Sequence, residues 1–170
     1  MIKKLNLVLG IVILILFTVG MCEAQVTRYL QLNSTAFRPQ NEEVDYYSYY
    51  LYSYADNTSP AGSAVFWAPV HLPNGAKYKK IYLRCYDLDL NYDITVGFIR
   101  TSIVDQNDYD IIYAVSSSAA AGWQTLTDNT TSVGRIVNNK KWSYVAYVLI
   151  GNVAADSDLR WQNFRLLYEY

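Results

Sequence analysis

The chain is poor in the residues that most catalytic and metal centres need. Among 170 residues there is one histidine, His71, and there are two cysteines, Cys22 and Cys85. A lone imidazole excludes, within one chain, a metal site built from several histidines, and it leaves His71 as the one imidazole for any Ser-His-Asp relay. The chain contains no G-x-S-x-G, H-E-x-x-H or C-x-x-C motif and no phosphate-binding glycine loop. Charge of one sign is also lacking. Fourteen basic residues face 15 acidic ones, for a net charge of −1, and no basic run offers a footprint for nucleic acid or for an anionic membrane. No window of useful length keeps a helical period flanked by caps, so little helix is expected.

The first residues read as an address. Lys3 and Lys4 form a positive start, an uncharged apolar run follows from Leu7 to Val19, and Cys22-Glu23-Ala24 places small residues at a cleavage site. Residues 1–24 are expected to be a signal peptide cut after Ala24. An uncleaved anchor is the weaker alternative, because the run falls short of the roughly 20 residues a bilayer span needs. Residues 25–170 are then one exported domain, extracellular or periplasmic and not membrane-embedded, long enough for a real core. Cleavage removes Cys22 and leaves Cys85 without an internal partner. Alternation in Ile81-Tyr82-Leu83-Arg84-Cys85-Tyr86 sets Cys85 beside Ile81 and Leu83 on one strand face, which predicts a buried, inert thiol. An intermolecular disulfide is the sharper alternative.

What the chain has in plenty is strand-forming aromatic residue: 17 tyrosines, four tryptophans and five phenylalanines. Val44–Tyr54 reads as one strand, with Tyr46, Tyr50, Tyr52 and Tyr54 on one face and Tyr47 and Tyr49 on the other. Further strands are expected over Ser63–Val70, over Tyr78–Tyr86 (with Tyr78, Lys80, Tyr82, Arg84 and Tyr86 on its mixed face), and from Ile94 to Arg100 with Ile94, Val96 and Phe98 inward. Asp110–Val115, Trp123–Leu126, Tyr144–Ile150 and Leu159–Tyr170 complete the set, with Tyr144–Ile150 central. About 8–10 short strands imply an all-β fold, an antiparallel two-sheet sandwich or jelly roll.

Ala68-Pro69-Val70-His71-Leu72-Pro73-Asn74-Gly75-Ala76 concentrates the histidine and two of the four prolines. Pro69 lacks a backbone donor, so its strand lies at an edge or ends there. Pro73-Asn74-Gly75 is a strong turn signal. The expected product is a rigid corner in which His71 hydrogen-bonds loop carbonyls.

Oxygen ligands are the remaining route to chemistry. Asp87, Asp89 and Asn91 copy the first spacings of a calcium loop, with Asp93 close by, but Tyr92 replaces the turning glycine and Phe98 the closing glutamate. The rival reading is an acidic hairpin turn with no cofactor. Asp105, Asp108 and Asp110, and Asp156 with Asp158, are lesser clusters, and two such clusters facing one another would be needed for a glycosidase pair. Seventeen tyrosines exceed what a core can bury with every hydroxyl satisfied. Tyr47, Tyr49, Tyr82 and Trp123 are therefore the candidate ligand-binding residues.

Phe37-Arg38-Pro39, the Ala68–Ala76 segment, Asp87 and Arg100 together follow an F-R-P … A-P-V-H-L-P-x-G-A … D … R pattern. It resembles a group of secreted bacterial β-sandwich proteins with no assigned activity. The resemblance spans nearly the whole of residues 25–170 and implies export and a β-rich fold, but no particular reaction. The leading expectation is a non-enzymatic structural, surface or self-assembling protein whose partners are itself or other matrix components. The alternative is a carbohydrate-binding module using exposed Tyr and Trp, with or without calcium. A glycosidase-like enzyme stands third.

Overall fold

The computed structural model describes residues 25–40, 44, 46–48, 52–55, 63–89, 91–105, 107–118, 121–130, 136–151 and 159–170. The expected signal peptide, Tyr49, Asp156 and Asp158 lie outside them. The described residues form eleven strands: β1 (Thr27–Asn33), β2 (Arg38–Pro39), β3 (Tyr46–Ser48), β4 (Ser53–Ala55), β5 (Ala64–Val70), β6 (Lys77–Asp87), β7 (Ile94–Ser102), β8 (Tyr109–Ser116), β9 (Gly122–Asp128), β10 (Trp142–Ile150) and β11 (Leu159–Glu169). One 3-10 turn, Ser34–Ala36, links β1 to β2. No helix among the described residues is long and apolar enough to cross a membrane.

The strands make an all-β sandwich of two antiparallel sheets. The first runs β3-β4-β11-β6-β9, with β1 also paired to β11; the second runs β2-β5-β10-β7-β8. Period-two alternation explains the layering. Ile81, Leu83 and Cys85 of β6 and Leu159, Trp161, Phe164 and Leu166 of β11 point inward from the first sheet. Phe66 and Ala68 of β5, Val96 and Phe98 of β7, and Ala146 and Val148 of β10 meet them from the second. Trp161 and Phe66 join the sheets with ring centroids 4.6 Å apart. Cys85 is free and buried as expected; burial first, then the neighbouring Asp87 carboxylate, pushes its thiol up to about 12.

Two expectations about faces are corrected. Tyr78 lies in the core, not on the mixed face with Tyr82. The β6–β11 register shifts between Leu167 and Tyr168, so Lys80 opposes Leu167 while Tyr78 opposes Tyr168. This bulge at Lys79 reverses the inward phase. Tyr78 then packs edge-on against Phe98 and Tyr113. The single tyrosine strand is also replaced by two short antiparallel strands, β3 and β4, with Tyr47 directly opposite Tyr54. Opposed residues share a face, and the two rings lie 5.4 Å apart instead of on opposite sides.

Pro69 behaves as its chemistry requires. Among the described residues, β5 is flanked on one side by β10 and on the other only by β2, which reaches Trp67 and Phe66. Pro69 therefore falls on the unpaired stretch of that edge, where no ladder donor is missed.

Candidate functional site

The corner at residues 68–76 is tied by hydrogen bonds, but not through His71. The His71 side chain is exposed and makes no hydrogen bond among the described residues. Asn139 holds the corner instead: its Nδ2 donates to the Leu72 carbonyl at 2.9 Å, and its backbone N–H donates to Asn74 Oδ1 at 2.9 Å. Gly75 N–H donates to the Val137 carbonyl, and Val137 N–H donates to that of Ala76. The turn begins at Pro73, whose carbonyl accepts from Ala76 N–H, and Gly75 takes a φ of 88° that side chains disfavour. An amide from a distant loop thus supplies the tie that was expected from the histidine.

The acidic segment after β6 is not the expected hairpin turn: β6 and β7 belong to different sheets, so the segment crosses from one sheet to the other. Asp89 Oδ1 accepts the backbone N–H groups of Asn91 and Tyr92, an Asx arrangement that uses the carboxylate locally. Asp87 is buried, accepting from Asp89 N–H at 3.0 Å and from the Ser117 hydroxyl. Asn91 and Asp93 are exposed at the surface. Among the described residues no group of three or more His, Cys, Asp or Glu is placed to hold a metal ion. Asp105 and Asp110 are likewise used near home. Asp105 accepts from Asn107 N–H, and Asp110 pairs with Arg100 at 2.7 Å.

The aromatic candidates do come together. Outward positions of β1, β11, β6 and β9 form cross-strand rows on the first sheet. Gln31 opposes Arg165, Arg165 opposes Tyr82, Arg84 opposes Thr125, and Arg160 opposes Tyr86, which opposes Trp123. A chain of ring and cation contacts crosses this face. Tyr47 meets Tyr54, Tyr54 stacks on Tyr52 at 6.2 Å, and Arg160 lies 5.2 Å from both the Tyr52 and Tyr86 rings. Tyr86 then meets Trp123 at 5.3 Å, and Arg84 covers Trp123 at 5.2 Å. Tyr82 carries Lys80 over its ring at 4.8 Å and Arg165 at 5.8 Å. Tyr47, Tyr82 and Trp123 therefore occupy one face.

Between Tyr82 and Arg84 the face sinks into a hollow of about 310 Å³, lined by Gln31, Tyr82, Arg84, Thr125, Asn163 and Arg165. A second bulge shapes it. The β6–β11 register shifts between Trp161 and Phe164, so Gln162 and Asn163 face the single residue Arg84. Bulges redirect side chains in this way, and here Asn163 is brought to the hollow. Arg84 Nη1 donates to Thr125 Oγ1 at 3.3 Å across its floor. The lining offers one phenol ring with its hydroxyl, two amides, the Thr125 hydroxyl and two guanidinium groups, and no carboxylate, imidazole or thiol. Such a set can hold a polar ring by contact and hydrogen bonds. Gln31, Asn163, Thr125 and Arg165 escape a reading of the sequence, because only the long-range pairings of β1 with β11, β11 with β6 and β9 with β6 bring them beside Tyr82 and Arg84.

The opposite outer face, on the second sheet, carries a groove of about 370 Å³ whose lining includes Val65, Trp67, Ile99, Ile111, Tyr147 and Leu149. Gly97 lies under Tyr147, and a Cβ there would overlap the tyrosine ring. The glycine lets the ring lie down on the sheet. Burial alone raises the Tyr147 hydroxyl pKa.

No protein-family model matches the chain, and no curated protein is similar to it in sequence. Solved structures resemble it in fold. The C-terminal family 6 carbohydrate-binding module of the laminarinase LamC from Zobellia galactanivorans superposes with a TM-score of 0.50 at 8% identity, over 82% of this chain and 98% of that one. The CBM22-1-GH10 modules of xylanase 10B from Clostridium thermocellum give 0.47 at 8% identity, over 85% of this chain and 28% of that one. A carbohydrate-binding module from the glycoside hydrolase family 9 protein Cel9A of Ruminococcus flavefaciens gives 0.40 at 11% identity, over 86% and 98%. At these identities the likeness is one of fold: a β-sandwich.

Proposed function

We propose that the domain is a non-catalytic glycan-binding module whose site is the hollow on the first sheet. The observation that carries this reading is the convergence of Tyr82 with Gln31, Asn163, Thr125, Arg84 and Arg165 on a rigid sheet surface. A pyranose presents an apolar face to an aromatic ring and hydroxyls at its rim, and this lining offers a partner for each. The fold shared with the family 6 module of LamC supports the reading, as does a lining without acid–base or nucleophilic groups. It favours the carbohydrate-binding expectation over the structural one.

A polysaccharide pull-down and glycan array with the full chain test it, each run with and without a chelator. Retention on at least one polysaccharide is expected, unchanged by chelator. Tyr82→Ala is expected to reduce it about 10-fold or more with an unaltered melt, since an aromatic contact is worth about 1 kcal/mol beyond its buried area. No retention on any polysaccharide would overturn the proposal.

A second reading rests on the other face. Its groove is mainly apolar, and Tyr109 and Ile111 on β8 are about half exposed. This favours association with another copy of the chain, in keeping with the self-assembling expectation. Light scattering across a concentration series decides it: monomers throughout would remove it, and oligomers dispersed by Ile111→Lys would support it.

A further inference from the structure

The hollow on the first sheet carries an excess of positive charge that the rest of the chain does not share. Its two arginines, Arg84 and Arg165, are joined by Lys80 over the same Tyr82 ring. The chain as a whole is nearly neutral, so the excess is local. The carboxylates on the four strands that build this face are all engaged elsewhere. Asp87 is buried against Ser117, Asp128 accepts from Ala114 N–H and Thr130, and Glu169 pairs with Lys79 at 2.8 Å. Among the described residues the ion pairs use Lys79 and Arg100. Arg84, Arg165 and Lys80 therefore have no ion-paired carboxylate among the described residues.

Two arginines lining one sugar-sized hollow, with Lys80 over the ring of Tyr82, repel one another, and a neutral sugar would leave that repulsion in place. An anion relieves it. Arg84 is already oriented by Thr125 and Trp123, and Arg165 by Tyr82. A planar guanidinium held in this way is a fork for a carboxylate. The neutral donors and acceptors beside it, Gln31, Asn163 and Thr125, suit the hydroxyls of the same ring. The balance of few cations and several neutral groups matches one carboxylate per sugar better than dense sulfation.

We infer that the hollow takes a uronic-acid residue of an acidic polysaccharide, its carboxylate paired by Arg84 and Arg165 and its ring set against Tyr82. This inference rests on the glycan-binding reading and narrows it. The test is affinity electrophoresis of the full chain in gels containing polygalacturonate, fully methyl-esterified polygalacturonate, alginate, dextran sulfate, or neutral β-glucan and xylan.

Retardation by polygalacturonate or alginate is expected to exceed that by the methyl ester by about 10- to 100-fold in affinity, the range of charge-assisted hydrogen bonds. It should weaken as salt is raised. Arg84→Gln with Arg165→Gln should remove the difference between acid and ester, while Lys79→Gln, whose partner is Glu169, should leave it intact. Equal retardation by acid and ester, retardation by neutral glucan or xylan alone, or by dextran sulfate alone, would overturn the inference and leave glycan binding standing. No retardation by any polysaccharide would overturn both. A double variant that melts like the parent yet keeps the acid–ester difference would also overturn it.

Discussion

The two outer faces of the sandwich obey the same alternation and share one core, yet they differ in almost every property that decides what can touch them. The first sheet turns Tyr82, Arg84, Arg165, Gln31 and Asn163 outward, and cations lie over the rings of Tyr82 and Trp123. The second turns Val65, Trp67, Ile99, Tyr147 and Leu149 outward, and Tyr147 lies flat on a glycine. Both faces are aromatic, so aromatic content alone does not distinguish a sugar site from a protein contact. The neighbours of the rings do: hydrogen-bonding and charged groups on one sheet, aliphatic ones on the other.

The largest expected effect tests whether the faces depend on one core. Trp161 is fully buried and bridges from β11 to Phe66 on the other sheet. Trp161→Ala should cost about 3–5 kcal/mol, the range for a buried large aromatic. Chemical denaturation would measure it, and the properties of both faces should be lost together. A loss below about 1 kcal/mol would show that the sheets do not rely on this contact.

Gly97→Val addresses one face only. The added side chain must lift the Tyr147 ring from the second sheet, and overpacking of this sort costs about 1–3 kcal/mol. Because Tyr147 sits on the outer surface, some of that cost is relieved by rotation of the ring, and the lower part of the range is expected. Thermal melts give the cost, and polysaccharide retention by the folded variant should equal that of the parent. Lost retention in a folded variant would break the separation of the faces.

Much of this division can be read from residue order, and the remainder fails for identifiable reasons. Ile81, Leu83 and Cys85, and Ile94, Val96 and Phe98, are inward as their alternation predicts, because each run contains no bulge within itself. Tyr78 is misplaced by the bulge at Lys79, and Asn163 enters the hollow through the bulge beside Arg84. An extra residue in a strand leaves no mark in composition. Tyr82 and Trp123 are identified as surface aromatics, whereas Arg165 depends on β11 pairing with β6 and Gln31 on β1 pairing with β11. Long-range register of that kind has no local signal. His71 misleads through rarity, since Asn139 provides the hydrogen bonds that the corner needs.

The smallest expected effect concerns a polar pin between the sheets. Asp87 ends β6 on the first sheet, and its carboxylate accepts from the hydroxyl of Ser117, beyond β8 on the second; Ser117 Oγ in turn accepts Ile94 N–H at 2.9 Å. Burial raises the pKa of Asp87 above its usual 3.8; the bonds from Ser117 and Asp89 N–H pull the other way, and the charges of Asp93 and Asp89 add to the rise. The sign follows from proton counting. Between 3.8 and the raised value the folded chain holds more protons than the unfolded chain, so this group's contribution to stability is full below pH 3.8 and is lost as pH rises through that window. Asp87→Asn cannot titrate, yet keeps an oxygen for Asp89 N–H. It should lie within about 1 kcal/mol of the parent at pH 7, and the parent should gain relative to it as pH falls toward 4. Paired melts from pH 3.5 to 7 would show this as a sloping difference. A constant difference would mean that Asp87 titrates alike folded and unfolded, and that the pin is held by shape more than by charge.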